Sequence, residues 1–239
     1  MREFLEALIN VSEKAANIAR QCRQERALFE LLVQEKTGNQ KNKRFLQDFK
    51  TLGDVLIQET VKHDIGRKFP DIAERIFGEE SNKFTNTKGE TIRVDVKNTE
   101  EETCELLAKV LDGNMEAACL LAVAVHKEVR MKVDLNNVTI QLPLKDLGVW
   151  IDPIDSTAEY ISGDCGVKAV NGIHPVGLQC VTVLIGVFDW ATGVPVLGVI
   201  NQPFHKLSAE DDSIQNFVES FYAEPQKMEP CERPRRHME

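Results

Sequence analysis

The 239 residues contain neither a long apolar run nor an excess of positive charge, and each would have placed the chain in a special class. No apolar run approaches the ~18 residues that a membrane-spanning helix needs, and the longest, residues 117–125, fits a buried helix segment. Positive charge is scarce, with 29 Lys and Arg against 38 Asp and Glu, and the formal charge of −9 argues against a general binder of nucleic acid or membrane surfaces. We therefore expect an ordinary soluble globular protein.

The six cysteines lack the spacing of a metal site or a disulfide framework. They lie at positions 22, 104, 119, 165, 180 and 231 and form no C-x-x-C pair, so we interpret all six as reduced thiols. The first six residues carry two acids, Glu3 and Glu6, where a secretory signal needs a basic flank and an apolar run. Together these features predict a cytoplasmic protein.

Apolar spacing predicts two clear elements in the first third of the chain. A repeat at intervals of four and three predicts a long amphipathic helix, and its members are Phe4, Leu8, Val11, Ala15, Ile18 and Cys22. A second helix is predicted over residues 26–35. Residues 36–44 are predicted to form a polar loop, which could touch an anionic substrate but is more commonly a solvated basic loop. Asp54 lies in the first turn of a further helix that ends near Gly66.

The remaining chain divides into an insertion, a hairpin and a tail. Residues 82–146 resemble an insertion, with an edge strand over 91–96, helices over 101–111 and 115–127, and a strand over 133–142. Two apolar runs, 179–188 and 194–201, predict a β-hairpin with Gly193 in its turn and helices covering both faces. Residues 214–222 suggest one short amphipathic helix, and the polar tail beyond is expected to be disordered.

The most informative stretch follows a predicted strand over residues 147–151. Pro153 cannot donate to a ladder, so the strand should stop there, and Asp152 and Asp155 should project from its carboxyl end, where α/β sheets place ligand sites. Ser156 and Thr157 can then cap a helix whose N–H groups receive an anion. Carboxylates beside an anion site require a cation between them, and Mg²⁺ accepts both carboxylate and phosphate oxygens.

Two further acidic elements are weak when each is taken alone. An Asp in a first helical turn, such as Asp54, ordinarily stabilises the helix dipole. Adjacent glutamates such as Glu79 and Glu80 are common on protein surfaces. Their order along the chain, together with the later Asp-Pro-Ile-Asp-Ser-Thr motif at 152–157, is what distinguishes them.

In this order the three motifs resemble the magnesium-dependent, lithium-sensitive phosphatase superfamily of inositol monophosphatase and fructose-1,6-bisphosphatase. Stretches 11–20, 48–51, 77–82 and 186–204 resemble most closely the branch that acts on inositol bis- and trisphosphates and removes the 1-phosphate, a step of phosphatidylinositol signalling. The resemblance runs from about residue 5 to residue 204. It implies an α/β fold, a layered α/β/α/β/α sandwich, of which this chain holds mainly the amino-terminal α+β half.

The resemblance also implies a set of site residues. Two Mg²⁺ ions would be held by Glu79, Asp152, Asp155 and the carbonyl of Ile154, and Asp54 and Glu80 would bear on a third ion. Thr157, paired with a carboxylate, would orient or deprotonate the attacking water, and Asp54 would be the other catalytic residue. Asp155, Ser156 and Thr157 would contact the substrate. The implied partners are small-molecule inositol phosphates.

The resemblance implies a second half that residues 205–239 cannot provide. That half carries a Trp-Asp motif whose Asp ligates metal, and Asp189-Trp190 has the reverse order within a hairpin turn. We therefore divide the chain into a phosphatase-type domain over 1–204 and a divergent tail over 205–239, and we expect a truncated phosphatase with impaired activity. The alternatives are a 3′(2′),5′-bisphosphate nucleotidase and an inactive remnant that acts as a binding module.

Overall fold

The computed structural model describes residues 1–24, 33–36, 49–133, 135, 143–207 and 214–222. Within these ranges the helices are α1 (Arg2–Gln24), α2 (Leu52–Lys68), α3 (Glu100–Val110), α4 (Met115–His126) and α5 (Thr157–Ser162). The strands are β1 (Val33–Glu35), β2 (Phe49–Thr51), β3 (Ile76–Gly78), β4 (Lys83–Thr85), β5 (Thr91–Arg93), β6 (Leu147–Asp155), β7 (Thr182–Asp189), β8 (Pro195–Leu207) and β9 (Ile214–Tyr222). None of the described helices is long and apolar enough to cross a membrane.

The main sheet of the described residues has the strand order β3-β6-β7-β8-β9. Strands β3 and β6 are parallel, and the remaining neighbours are antiparallel. Helices α1 and α2 pack on this sheet through buried residues such as Leu8, Ile65 and Val149. The α/β class predicted from the sequence is confirmed.

Helix α1 forms where the four-and-three spacing predicts it. All six members of that repeat, from Phe4 to Cys22, are buried, so the stripe faces the core along the whole helix. Burying a large side chain of this kind contributes roughly 1.5–3 kcal/mol. The helix thereby joins both core clusters, one around α3 and α4 and the other against the sheet.

The hairpin of β7 and β8 is also confirmed. Its strands pair in register from Val183 with Asn201 to Val187 with Leu197, and Gly193 takes a φ of 72° in the turn. The prediction that helices cover both faces differs from the described structure. Trp150 of the neighbouring strand β6 is 51% exposed on the face opposite α1 and α2.

Strand β6 continues farther than the proline rule predicts. It extends to Asp155, but its ladder with β7 is interrupted between Asp152 and Asp155, which spans Pro153. A proline without an N–H accounts for the interruption, because it cannot donate to the neighbouring strand. Ser156, with φ 67° and ψ 46°, then takes a left-handed conformation that ends the strand before α5.

The insertion folds largely as its sequence indicates, with one correction. Helices α3 and α4 pack against each other, and Thr99 and Asn114 cap their first turns. A disulfide joins Cys104 of α3 to Cys119 of α4, so the interpretation of all six cysteines as reduced is wrong for this pair. Cys22, Cys165 and Cys180 are free thiols, and position 231 lies outside the described residues.

Two helix predictions are corrected by strands. Residues 214–222 form β9, because their backbone pairs with β8, from Leu207 with Ile214 to Leu197 with Tyr222. This pairing gives the backbone N–H and C=O groups the partners that a helix would supply within itself. Residues 33–35, predicted as the end of a helix, form β1 and pair with β2. The rest of that helix, most of the strand predicted over 133–142 and the disorder predicted after 222 lie outside the described residues.

Candidate metal centre

Glu79 and Asp152 lie side by side because β3 and β6 run parallel. Gly78 pairs with Ile151, and the amide of Glu79 donates to the carbonyl of Ile151 over 3.1 Å. Both acidic residues therefore follow the last paired positions at the same edge of the sheet. This edge is where open α/β sheets place ligand sites.

Glu80 is held by a side chain of helix α2. Its amide donates to Oε1 of Gln58 over 2.8 Å, and Nε2 of Gln58 donates back to the Glu80 carbonyl over 2.6 Å. Gly78 makes this clamp sterically possible, since a Cβ at that position would lie 2.0 Å from Oε1 of Gln58. The buried glutamine thus fixes the backbone of the glutamate pair relative to α2.

Asp54 lies at the start of α2 in a reciprocal cap. The hydroxyl and amide of Thr51 donate to Oδ2 of Asp54 over 2.6 and 2.7 Å, and the Asp54 amide donates to Thr51 Oγ1 over 3.3 Å. Burial raises the pKa of Asp54 to about 7, and the charge of Glu80 adds to the rise against the bonds from Thr51. The ordinary capping role of Asp54 is therefore present, and its carboxylate lies close enough to Glu80 to feel its charge.

Asp152 and Asp155 share the same electrostatic neighbourhood. The pKa of Asp152 is raised to about 7, by burial first and then by the charges of Glu79 and Asp155. Asp155 is exposed and accepts from Oγ1 of Thr182 over 3.3 Å. Carboxylates that repel one another in this way favour a cation among them.

The motif ends in a turn that orients Thr157. Its hydroxyl donates to the carbonyl of buried Ile154 over 2.9 Å, and the carbonyl of Ser156 accepts from the amides of Glu159 and Tyr160. Asp54 and Thr157 share no hydrogen bond among the described contacts. The two catalytic residues implied by the resemblance are therefore not joined directly by a hydrogen bond.

Two lysines bring positive charge to the carboxylates. Nζ of Lys36 lies 2.5 Å from Glu80 and 2.9 Å from Glu79. Burial works to lower the pKa of Lys36, but its bonds to Glu80 and Glu79 outweigh burial and hold that pKa above its ordinary value. Lys50 donates to Ser81 and to the carbonyl of Lys83, and burial holds its pKa below the ordinary value.

The donor set fits a hard divalent cation. Every predicted ligand offers oxygen, and the pKa of Glu80 is raised, by burial first and by the charge of Glu79 second. Across the described residues, however, no group of three His, Cys, Asp or Glu side chains is already arranged to hold a metal ion. The ammonium of Lys36 supplies the positive charge between Glu79 and Glu80 instead.

The structure brings together most of the residues that the sequence singles out. The pKa of Asp152 is raised by the charges of Glu79, Asp155 and Glu80, and the pKa of Asp54 is raised by the charge of Glu80. The sequence interpretation missed Lys36, which was assigned to a solvated loop, and it missed Gln58. A signal for Gln58 was available, because residues four apart on a helix share a face and Gln58 follows Asp54 at that interval.

Comparison with known proteins gives one family and two groups of relatives. The family described as "Inositol monophosphatase family" matches residues 2–227, which reaches beyond the limit at 204 expected from the motifs. Inositol polyphosphate 1-phosphatase of Mus musculus is 56% identical over 205 residues, or 85% of this chain and 52% of the relative. The Homo sapiens protein of the same name is also 56% identical over 205 residues, covering 85% of this chain and 51% of the relative.

A second group of relatives is more distant. The 3′(2′),5′-bisphosphate nucleotidase 1 of Rattus norvegicus is 29% identical over 167 residues, or 70% of this chain and 39% of the relative. The chain thus spans about half the length of the curated 1-phosphatases that it matches.

Proposed function

Because this chain belongs to the inositol monophosphatase family, we propose that it carries a Mg²⁺-dependent phosphomonoesterase site that removes the 1-phosphate from inositol bis- and trisphosphates. The observation that carries this proposal is the placement of Glu79 and Asp152 directly after the last paired positions of the parallel strands β3 and β6, with Glu80 and Asp155 near them. The printed name of the relatives at 56% identity supports the substrate class.

We assign the ligands from the residues that the family resemblance implies. Glu79, Asp152, Asp155 and the Ile154 carbonyl would hold two ions, and Asp54 and Glu80 would bear on a third. Bound Mg²⁺ supplies positive charge to the transferring phosphoryl group and lowers the pKa of a coordinated water. The proposal includes inhibition by lithium, and the Asp54→Ala variant should weaken that inhibition.

The chain's own residues would position the reactants. Hydrolysis breaks the bond between phosphorus and the inositol oxygen as a water oxygen attacks from the opposite side, and positioning supplies most of the acceleration in such transfers. The Thr157 hydroxyl already donates to the Ile154 carbonyl over 2.9 Å, so its oxygen can accept a hydrogen bond from that water and orient it. The backbone N–H groups of Ser156 and Thr157 would hold the phosphate, and Asp155 would contact the substrate.

Phosphate release tests the proposal directly. The purified chain is incubated with inositol 1,4-bisphosphate, with and without Mg²⁺, beside the Asp152→Asn variant and an exposed control, Asp71→Asn. We expect slow, Mg²⁺-dependent release by the wild type and by Asp71→Asn, and none above background by Asp152→Asn. Release that persists without Mg²⁺, or in Asp152→Asn, would contradict the metal assignment.

Two alternatives have specific support. The nucleotidase relatives at 29–30% identity favour a nucleoside 3′,5′-bisphosphate as substrate, which the same assay tests by exchanging the substrate. The Lys36 ammonium between Glu79 and Glu80 favours a protein that binds without turnover. Mg²⁺ binding without phosphate release from either substrate would support this second alternative.

A further inference from the structure

A cavity of about 510 Å³ lies between α1, α2 and the residues that follow α4. We name it the basic pocket after the cationic and histidine side chains that line it, which are Lys14, His63, Arg67, Lys68, His126 and Arg130. None of its lining residues belongs to the candidate metal centre. Its volume lies within the range of ~300–1,000 Å³ that is usual for small-molecule sites.

Positive charge outnumbers negative charge in the basic pocket. Four Lys and Arg side chains line it against two carboxylates, those of Asp64 and Glu128, although the whole chain has a formal charge of −9. Asp64 is already engaged, since it accepts from Lys14 over 2.5 Å and lies 2.9 Å from Nδ1 of His63. Glu128 lies 3.0 Å from Arg130 in an exposed pair, which contributes little.

Arg67 and Lys68 give the pocket charge that these carboxylates do not neutralise. Both side chains are exposed at the end of α2, and Arg67 has no ion-pair partner in the described part of the chain. Lys68 pairs over 3.3 Å with Glu3, which is itself mostly exposed and does not line the cavity. Both cations therefore remain available to an anionic ligand.

His126 can provide a further hydrogen-bond donor to a bound anion. The Thr103 hydroxyl donates to the Thr99 carbonyl over 3.0 Å, so it accepts from Nε2 of His126 over 2.8 Å. Burial lowers the pKa of His126, and the charges of His63 and Lys14 lower it further against those of Glu100 and Asp64. A bound anion would offset these positive neighbours and favour a second proton, on Nδ1.

The floor of the cavity is apolar. Val11, Ile65 and Val125 line it and are almost completely buried within the helices. Charged and polar side chains outnumber the apolar ones in the lining as a whole, and this composition suits a polyanion with a small organic part. We propose that the basic pocket is a second ligand site, which binds a small molecule carrying two or more phosphate groups.

The basic pocket and the candidate metal centre lie near opposite ends of helix α2. Helix α2 begins beside Asp54 and ends beside Arg67, and at 1.5 Å per residue these positions are about 20 Å apart. The proposal is independent of the proposed function, because it uses none of the carboxylates assigned to the metal. A chain without phosphatase activity could still bind a polyphosphate here.

Inorganic pyrophosphate is the probe that tests the pocket. It is titrated calorimetrically into the purified chain in buffer freed of divalent metal with a chelating resin, so that no metal holds the anion among the carboxylates. The pocket variant is R67Q/R130Q and the matched control is K88Q/K109Q, and all four side chains are exposed. Each variant removes two positive charges, so both have the same net charge.

We expect saturable binding by the wild type and by the control, and an affinity at least about tenfold lower in the pocket variant, which corresponds to ~1.4 kcal/mol. Raising the salt from ~0.05 M to ~0.5 M should weaken wild-type binding, because it shortens the Debye length. Failure of the wild type to bind saturably would overturn the proposal, as would an equal loss in both variants. A melting scan of each variant checks the fold, and K68Q replaces the pocket variant if that protein melts early.

Discussion

Lys36 and Glu80 form an ion pair that is almost closed to solvent. Nζ lies 2.5 Å from Oε1, and each side chain is only 6% exposed. A buried pair of this kind costs desolvation on both sides, so it is stable only while both charges are present. The lysine thus neutralises a glutamate that the family resemblance assigns to metal, and a metal ion would compete with it for the same oxygens.

The Lys36→Gln variant should be less stable than the wild type in the absence of metal. Removing one partner leaves Glu80 buried without its counter-charge, and such losses cost about 3 kcal/mol or more. Urea unfolding without Mg²⁺ measures the difference. The control is Lys62→Gln, whose partially exposed pair with Glu59 should contribute under ~1 kcal/mol. Equal losses in the two variants would show that the Lys36 pair does not stabilise the chain.

The Glu79→Gln variant should remove most of the stabilisation by Mg²⁺. A ligand that binds only the folded state at 100 times its Kd adds about 2.7 kcal/mol, and losing one anionic ligand lowers that affinity. Melting temperatures with and without Mg²⁺ measure the effect. Glu74→Gln, an exposed glutamate next to the same strand, is the control. The ligand assignment fails if Glu79→Gln keeps the full Mg²⁺-dependent rise.

The Gly78→Ala variant should disturb the clamp between Gln58 and Glu80. The added Cβ would lie 2.0 Å from Oε1 and 2.4 Å from Cδ of the buried Gln58 side chain, so that side chain must move. Overpacking of this kind costs about 1–3 kcal/mol. Gly198→Ala is the control, because nothing lies within 4 Å of its Cβ position. Urea unfolding should show the loss in Gly78→Ala alone, and equal stability of the two variants would contradict it.

Local patterns predicted those parts of the fold whose partners lie nearby in sequence. The spacing from Phe4 to Cys22 predicted α1, and the two apolar runs around Gly193 predicted the hairpin. Residues 214–222 were predicted to form a helix because a short apolar run fits the periodicity of a helix as well as that of a strand. Pairing with β8 decides in favour of the strand. A backbone partner of this kind cannot be identified from the segment alone.

The sequence predicted the acidic residues of the candidate site but not the groups that neutralise their charge. The carboxylates stand in recognisable motifs, whereas Lys36 lies in a polar stretch whose composition is typical of a solvated loop. Its burial results from Glu79 and Glu80, which are remote in sequence. The disulfide was missed for a similar reason, because Cys104 and Cys119 meet only when α3 packs on α4.

Loss of the Cys104–Cys119 disulfide should lower the stability of the chain. A cross-link across a separation of 15 residues restricts the unfolded state by about 3 kcal/mol in the chain-entropy model. The Cys104→Ser/Cys119→Ser variant should therefore melt earlier under non-reducing conditions, and Cys165→Ser, which removes an exposed free thiol, should not. The wild type should converge on the double variant when a reductant is added. A reductant without effect would contradict the disulfide.

The contribution of Asp64 to stability should depend on pH. Burial raises its pKa, but bonds with His63 and Lys14 outweigh burial and hold the pKa below its ordinary value. A lowered carboxyl pKa stabilises the fold above the unfolded value of ~4, and this stabilisation is lost as pH falls through the lower folded value. Asp64→Asn should therefore cost about 2 kcal/mol at pH 7.

The difference between wild type and Asp64→Asn should shrink below about pH 4. Denaturant unfolding at pH 7 and at pH 3 measures it, and Asp71→Asn, an exposed aspartate, gives the baseline. A difference that stays constant between the two pH values would mean that the ionised form of Asp64 does not stabilise the fold.

The parallel junction of β3 and β6 also determines when the candidate metal centre can form during synthesis of the chain. Glu79 and Asp152 become neighbours only through pairing of Ile76 with Val149 and Gly78 with Ile151, and residues 80–151 intervene. Closing so long a loop is slow. The glutamate pair lies at its start and the aspartates of β6 lie after it, so neither segment can form the carboxylate set alone. A nascent chain that ends before β6 should therefore lack the candidate metal centre, and Mg²⁺ affinity, if the proposed site binds the ion, would report complete folding.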